Sequence, residues 1–226
     1  METLGIITAR SGSKGIKDKN IKELNGKPLI AYTIESALQS CYVDEVMVST
    51  DSVRYAELSE RYGASVPFLR SEKNSNDTSS SLNVVFEVLE KYEKMGKSFD
   101  NIIMLQPTSP LRTYNHINEA FQLFYKKGAD SVVSVCECEH SPLLSNTLSD
   151  DLNMYEFIKS ENNLRRQDLK RFYRLNGAIY ISKVTILKQI KTFYGYNSYA
   201  YVMGQTESVD IDTELDFEYA EFLMRK

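Results

Sequence analysis

From residue 3 to residue 135 the sequence alternates short apolar runs with longer amphipathic stretches, and this alternation restricts the fold more than any other feature. Leu4–Ala9, Glu45–Ser49, Asn101–Leu105 and Ser131–Val135 read as strands: each is short, apolar and bounded by polar residues. Between them, Gly26–Ser40, Ser52–Tyr62, Ser79–Tyr92 and Tyr114–Lys127 place apolar side chains at helical spacing, with Gly63 and Gly128 as stops. A β-α-β-α order predicts an α/β fold, a Rossmann-like, mostly parallel sheet with helices on both faces. Ligands of such sheets bind outside the carboxyl ends of the strands. The loop from Arg10, the Thr50-Asp51 pair and the segment Gln106–Arg112 all fall at such ends.

The rhythm breaks after Glu139. Residues 140–175 are polar and charged, yet carry Leu148, Leu152, Met154, Tyr155, Phe157, Ile158 and Phe172. A stretch of this length is seldom structureless. It reads either as a solvated surface insertion or as an arm that pairs with a second subunit. The strand-helix pattern resumes with Ala178–Ile181, Val184–Thr192, Tyr199–Met203 and the closing helix Glu214–Met224. The expected organisation is thus a core of residues 1–139 and 176–226 with a 140–175 arm inserted in it.

The 226 residues carry a net charge of −4, which disfavours a nucleic-acid partner, since such proteins are usually basic. No apolar stretch approaches a membrane span, and the N-terminus runs straight into a strand without a signal peptide, so a cytoplasmic location is expected. Cys136, Cys138 and His140 offer three ligands where a structural zinc takes four, so a zinc site is not expected.

Three segments carry chemistry. The first strand runs into Arg10-Ser11-Gly12-Ser13-Lys14-Gly15, followed by Lys17, Lys19 and Asn20. Glycines allow a tight turn and close approach of a ligand, and the loop's N–H groups, hydroxyls and cations suit a polyphosphate. The loop is neither G-x-x-x-x-G-K-[ST] nor G-x-G-x-x-G, and its other reading is a solvated turn. In the second segment, two prolines, Pro107 and Pro110, stiffen a loop in which Gln106, Thr108, Ser109 and Arg112 supply polar contacts. This suits a site that reads hydroxyls and a carboxylate, although Pro-x-x-Pro also makes an ordinary stiff turn. In the third, Asp210 and Asp212 flank Ile211, so in a strand both carboxylates point the same way. Such a pair beside a triphosphate suits Mg²⁺, while Asp212 or Thr213 could instead cap the last helix.

Taken in order, ITARSGSKGIKDKN, LQPTSPLR, RRQDLKRFYRLNGAIY and VDIDT resemble the bacterial CMP-N-acylneuraminate synthetases, the acylneuraminate cytidylyltransferases, over almost the whole chain. Thr8 stands where that family usually has proline, and SKGIKDKN separates the chain from the related Kdo enzymes. The resemblance implies a nucleotidyltransferase-like fold with a dimerisation arm. It implies an enzyme that joins CTP to N-acylneuraminate, giving CMP-N-acylneuraminate and diphosphate. Another nonulosonic acid (legionaminate, pseudaminate or, further off, Kdo) is the alternative substrate, and a non-catalytic nucleotide-binding protein the remotest reading. Arg10, Ser13, Lys14, Lys19 and Asn20 match the phosphate-holding positions, and Arg70 and Ser81, flanking the Asp77–Ser80 turn, match positions near the cytosine and ribose. Gln106, Thr108, Ser109, Arg112, Asn176 and Tyr180 match the sugar site, where Asn176-Gly177 otherwise reads as a turn. Asp210 and Asp212 match the acids that hold Mg²⁺, with Mn²⁺ able to substitute. Arg10, Lys14 and Lys19 would take up charge on the leaving diphosphate, and one aspartate would accept the sugar's hydroxyl proton. Phe193 and Tyr194 match an aromatic pair that reaches the partner's sugar site in a homodimer, their other reading being core packing.

Overall fold

The computed structural model describes residues 1–12, 15–76 and 78–225. Strand β1 (Thr3–Thr8) leads through the Arg10 loop into a hairpin of β2 (Glu23–Leu24) and β3 (Lys27–Pro28). Asn25 and Gly26, both at positive φ, form its turn. Asn-Gly is the pair that accepts two left-handed residues in succession. Helix α1 therefore starts at Leu29 rather than Gly26 and runs Leu29–Leu38, burying Ile30, Ile34 and Ala37. Next come β4 (Glu45–Ser49) and α2 (Val53–Arg61), whose first turn is capped by the Ser52 hydroxyl. A short helix α3 (Glu72–Ser75) precedes α4 (Ser81–Lys94), which lacks the two residues predicted before it because Ser80 serves as its cap.

Strand β5 (Asn101–Leu105), helix α5 (Tyr114–Lys127) and strand β6 (Ser131–Glu137) follow the expected order. Gly128 closes α5 in the left-handed conformation, φ 58°. Strand β7 is long, Tyr173–Lys183, where only Ala178–Ile181 was expected. Helix α6 (Val184–Ile190), strand β8 (Ser198–Met203) and helix α7 (Glu214–Met224) complete the chain. Among the described residues, no helix is long and apolar enough to cross a membrane.

The strands make one sheet in the order β4-β1-β5-β7-β6-β8. It is mostly parallel, with β7 running against β5 and β6. Helices α1, α2 and α5 belong with a core around Ile7, Val48, Ile103 and Phe121 on one face. Helices α4 and α6 belong with a core around Ile6, Met47, Val88 and Leu187 on the other. A smaller cluster of Leu24, Leu29, Ile211 and Phe217 seats the hairpin and α7. Because β7 is antiparallel, its leading half lies beside the carboxyl end of β5, with Tyr180 opposite Met104.

The chain leaves the sheet after Glu137, where β6 ends, and returns at Tyr173, where β7 begins, so the last three residues of the expected 140–175 arm belong to the sheet. Glu137 pairs with Tyr173, and the Cys138 amide donates to Phe172 O at 2.8 Å. The excursion holds three short 3₁₀ turns, and Leu148, Leu152, Met154 and Tyr155 stand exposed on it.

Candidate functional site

A cavity of about 420 Å³ opens at the carboxyl ends of β1 and β5. Its floor begins at Thr8 and Arg10, where β1 passes into the first loop. That loop is tied at both ends. The Asp51 carboxylate accepts from the Ser11 amide and from its hydroxyl, each at 2.8 Å. Asn20, 5% exposed, donates from Nδ2 to Arg10 O at 3.1 Å. Asp18, held at φ 54°, accepts from the buried Tyr55 hydroxyl at 3.2 Å. Burial and the Asp18 charge raise the Tyr55 hydroxyl well above the ordinary tyrosine range, so it stays a donor. Gly15 lies so close to the last loop that a Cβ there would stand 2.5 Å from Asp212 O. Ser13 and Lys14 lie outside the described residues.

A second wall comes from residues 70–81. Arg70 is 9% exposed; its Nε donates to Ser49 Oγ at 3.1 Å, and it also reaches Ser49 O. Burial pulls its guanidinium down to about 10, with the Arg10 charge adding to the effect and Asp51 and Glu87 opposing it; it remains a cation at neutral pH. Asn74, Asn76, Ser79 and Ser81 line the cavity beside it. This wall is organised from behind by Glu87 of α4. Glu87 accepts from the Ser71 amide (2.8 Å), the Ser71 hydroxyl (2.7 Å) and Asn74 Nδ2, and pairs with Lys91 at 2.6 Å. Burial would raise its carboxyl, but these donors outweigh that and hold it at about 2.

The third wall joins two segments distant in sequence. Gln106, Pro107 and Thr108 face the cavity, and Ile211 N donates to Thr108 O at 2.9 Å, which brings Asp210 and Asp212 to the same rim. The two acids are unlike. Asp210 is largely buried, hydrogen-bonded to Thr108, and raised by burial with the Asp212 charge adding; its Oδ1 is buried without a partner among the described residues. Asp212 has a side chain 74% exposed and accepts from Lys19 Nζ at 2.9 Å, while the same Nζ donates to Ile211 O at 2.6 Å. Residues 209–212 are not a strand. Their common aim comes from the Thr108 and Lys19 contacts instead. Thr213, not Asp212, caps α7, in a reciprocal box with Asp216.

Of the residues singled out in the sequence, Arg10, Lys19, Asn20, Arg70, Ser81, Gln106, Thr108, Asp210 and Asp212 meet around this cavity. Of the other described ones, Ser109, Arg112, Asn176, Tyr180, Phe193 and Tyr194 do not line it. Ser109 is fully buried, and Arg112 is 1% exposed beneath the loop, its Nη1 donating to Gln106 O and Ala178 O at 3.2 Å. Burial lowers the Arg112 guanidinium to about 9. Arg112 thus splints the loop to β7. Asn176 is also internal. Its Oδ1 accepts from Ser134 Oγ at 2.6 Å and its Nδ2 donates to Ser208 Oγ at 2.9 Å, bonds that stand in for sheet pairing where the β6–β7 register shifts. Tyr180 and Phe193 are buried against one another, ring centroids 5.3 Å apart. Burial, with the Tyr194 and Asp210 charges adding, pushes the Tyr180 hydroxyl up to about 12. Tyr194 is 57% exposed and borders a separate groove beside Tyr196 and Ile190. His116 sits in the capping turn of α5, away from the cavity.

Sequence reasoning missed Thr8 as a wall residue, and also Asn74, Asn76 and Ser79. The signal available was the run of short polar side chains from Asn74 to Ser80, directly before a helix that places Glu87 behind it.

Among the described residues, no group of three or more His, Cys, Asp or Glu side chains is arranged to hold a metal. A metal at the rim would rest on two carboxylates and on substrate oxygens, which is how Mg²⁺ is commonly held. The orphaned Oδ1 of Asp210 fits such a ligand, because a buried acceptor without a partner is costly.

The cytidylyltransferase family model matches residues 4–225. The chain belongs to the cytidylyltransferase family. It is a CTP-dependent nucleotidyltransferase. It is 39% identical to the CMP-N,N'-diacetyllegionaminic acid synthase of Legionella pneumophila, over 99% of this chain and 97% of that protein. It is 41% identical to the N-acylneuraminate cytidylyltransferase of Streptococcus agalactiae serotype V over 96% of its length, but spans only 52% of that longer protein. A solved CMP-2-keto-3-deoxy-manno-octonic acid synthetase complexed with CTP superposes with a TM-score of 0.74 at 19% identity, over 100% of this chain and 99% of that one. That likeness speaks for the fold alone.

Proposed function

We propose that this cytidylyltransferase transfers CMP from CTP to the anomeric hydroxyl of a nonulosonic acid, N-acylneuraminate first, and releases diphosphate. One observation carries the reading. Three cationic residues (Arg10, Lys19 and Arg70) and two acids (Asp210 and Asp212) converge on one cavity at the strand ends. That is the charge pattern a triphosphate and a divalent cation require together.

In this reading Arg70 and the Asn74–Ser81 wall take the nucleoside, while Arg10 and Lys19 face the phosphates. Gln106 and Thr108 address the sugar. Arg112, Asn176 and Tyr180 hold the walls from beneath. Bound at Asp210 and Asp212, Mg²⁺ or Mn²⁺ would supply charge neutralisation at the α-phosphoryl group. Asp210 is the better acceptor for the sugar's proton, since burial raises its carboxyl. Most of the acceleration comes from placing the hydroxyl in line with the phosphorus and balancing charge that develops on the diphosphate.

A second substrate has comparable support. The chain is 39% identical to the legionaminic acid synthase and 41% identical to the streptococcal N-acylneuraminate enzyme. A diphosphate-release assay with CTP against N-acylneuraminate, legionaminate, pseudaminate and Kdo separates these readings. Release with N-acylneuraminate at the highest kcat/KM supports the first reading; a tenfold preference for legionaminate replaces it with the second. No release with any sugar would leave only nucleotide binding.

A further inference from the structure

The Lys19 ammonium sits on the more exposed of the two rim carboxylates. Its Nζ lies 2.9 Å from Asp212 Oδ1 and 2.6 Å from Ile211 O. The Lys19 side chain is 12% exposed against 74% for Asp212, so the lysine is packed into the wall and the carboxylate faces outward. The main chain beneath Lys19 is held by Asp18 with Tyr55 and Arg54, and by Asn20 on Arg10 O. Only the side chain has freedom to turn, and it already borders the cavity.

We infer that Lys19 and the divalent cation compete for Asp212, so that metal binding hands the Lys19 ammonium over from Asp212 to the nucleotide phosphates. The inference rests on the reading of Asp210 and Asp212 as the metal carboxylates. An ammonium and a dication on one carboxylate repel each other, and an exposed Asp212 offers little else to hold both. Without ligands, Lys19 neutralises Asp212 and keeps the rim from carrying two bare negative charges. With a triphosphate present, both cations have anions to meet. The exchange makes the metal and the nucleotide favour each other's binding, a coupling between two ligands carried by one side chain.

A plain structural tie gives the opposite sign, so the test is direct. Mn²⁺ binding to nucleotide-free protein is titrated by electron paramagnetic resonance for wild type, Lys19→Met, Lys19→Gln, Lys19→Arg and Asp212→Ala, each checked for folding by thermal melting. The expected result is Mn²⁺ affinity raised about tenfold in Lys19→Met and Lys19→Gln, close to wild type in Lys19→Arg, and lost in Asp212→Ala. Unchanged or weakened binding in Lys19→Met and Lys19→Gln, with binding still lost in Asp212→Ala, makes Lys19 a tie for the loop and overturns the exchange. Wild-type affinity in Asp212→Ala removes the metal reading itself, and the exchange with it. A second measurement needs no variant. Acylation of Lys19 in the wild-type chain, followed by peptide mapping, should accelerate severalfold when Mn²⁺ saturates the site. No acceleration at saturation also overturns the exchange.

Discussion

Asp212 and Glu87 contrast a carboxylate proposed for chemistry with one that serves shape. Asp212 is exposed and packs against nothing in the core, so Asp212→Ala should leave stability within about 0.5 kcal/mol of wild type. It should nevertheless lower kcat by ~100-fold or more, since a metal carboxylate is gone. Asp210→Ala should lower kcat similarly. Diphosphate release at saturating Mg²⁺ together with thermal melts checks both halves; near wild-type turnover in the two variants would withdraw the metal assignment. Glu87 touches no proposed ligand. Its carboxyl is held at about 2 in the folded chain, against 4.5 ordinarily. A depressed folded-state value means that Glu87 stabilises the fold fully above pH 4.5 and loses that contribution as the pH falls from about 4.5 to about 2. Wild type should therefore exceed Glu87→Gln in melting temperature at pH 7, and the gap should shrink at pH 3. A gap that is constant across that window would mean the Ser71 and Asn74 donors do not depend on the charge. The same variant should raise KM for CTP more than it lowers kcat, because Asn74 borders the cavity.

Strand β7 is the element on which the third wall depends. At its shifted register Gly177 stands at φ 72°, and a Cβ there would run into Gln106 Oε1, with Asp210 Oδ2 at 3.8 Å. Gly177→Ala combines a left-handed strain of about 1–2 kcal/mol with displacement of Gln106. It should lower the denaturation midpoint and raise KM for the sugar while leaving KM for CTP nearly unchanged; equal effects on both substrates would show that the wall does not separate them. This strand also marks where the sequence stopped being legible. Glu45–Ser49, Asn101–Leu105, Tyr114–Lys127 and Glu214–Met224 match the expected bounds, because their periodicity ends at a cap or a polar turn. The start of α1 was misplaced because Asn25-Gly26 makes a hairpin whose two-residue strands show no alternation. The first half of β7 runs from exposed or half-buried Tyr173, Arg174 and Leu175 into buried Asn176 and Gly177, and needs Asn176 to replace ladder bonds. No local pattern announces a bond to Ser134 or Ser208. Arg112 misled for the same reason: an arginine in a polar loop reads as a ligand contact, and only tertiary packing reveals it as a buried splint.

Across the whole molecule, the apolar residues on the 140–175 excursion and the groove beside Tyr194 and Tyr196 remain exposed in a single chain. Patches of this kind commonly mark a self-complementary contact, and a homodimer is the proposed assembly. Sedimentation equilibrium at micromolar concentration should give twice the chain mass of 25.9 kDa. Phe193 is already packed on Tyr180 within its own chain, so Tyr194 is the better residue to ask about a shared site. If Tyr194 works across the interface, mixing Tyr194→Ala chains with Asp212→Ala chains should restore activity, since each heterodimer then has one intact site. No recovery after proven subunit exchange would place Tyr194 in the service of its own chain. The way the excursion is attached has a wider consequence. Its ends are clamped together by the Glu137–Tyr173 pair and by the amide bond from Cys138 to Phe172 O. The Arg174–Glu139 ion pair adds to that clamp, and doubling the length of a loop closed in this way adds only about 0.6 kcal/mol of closure entropy. The segment can thus change length at little cost to the sheet, but it leaves at the carboxyl end of β6 and returns into β7, whose Gly177 lies against Gln106 and Asp210, so any replacement acts at the same end of the sheet at which the cavity opens.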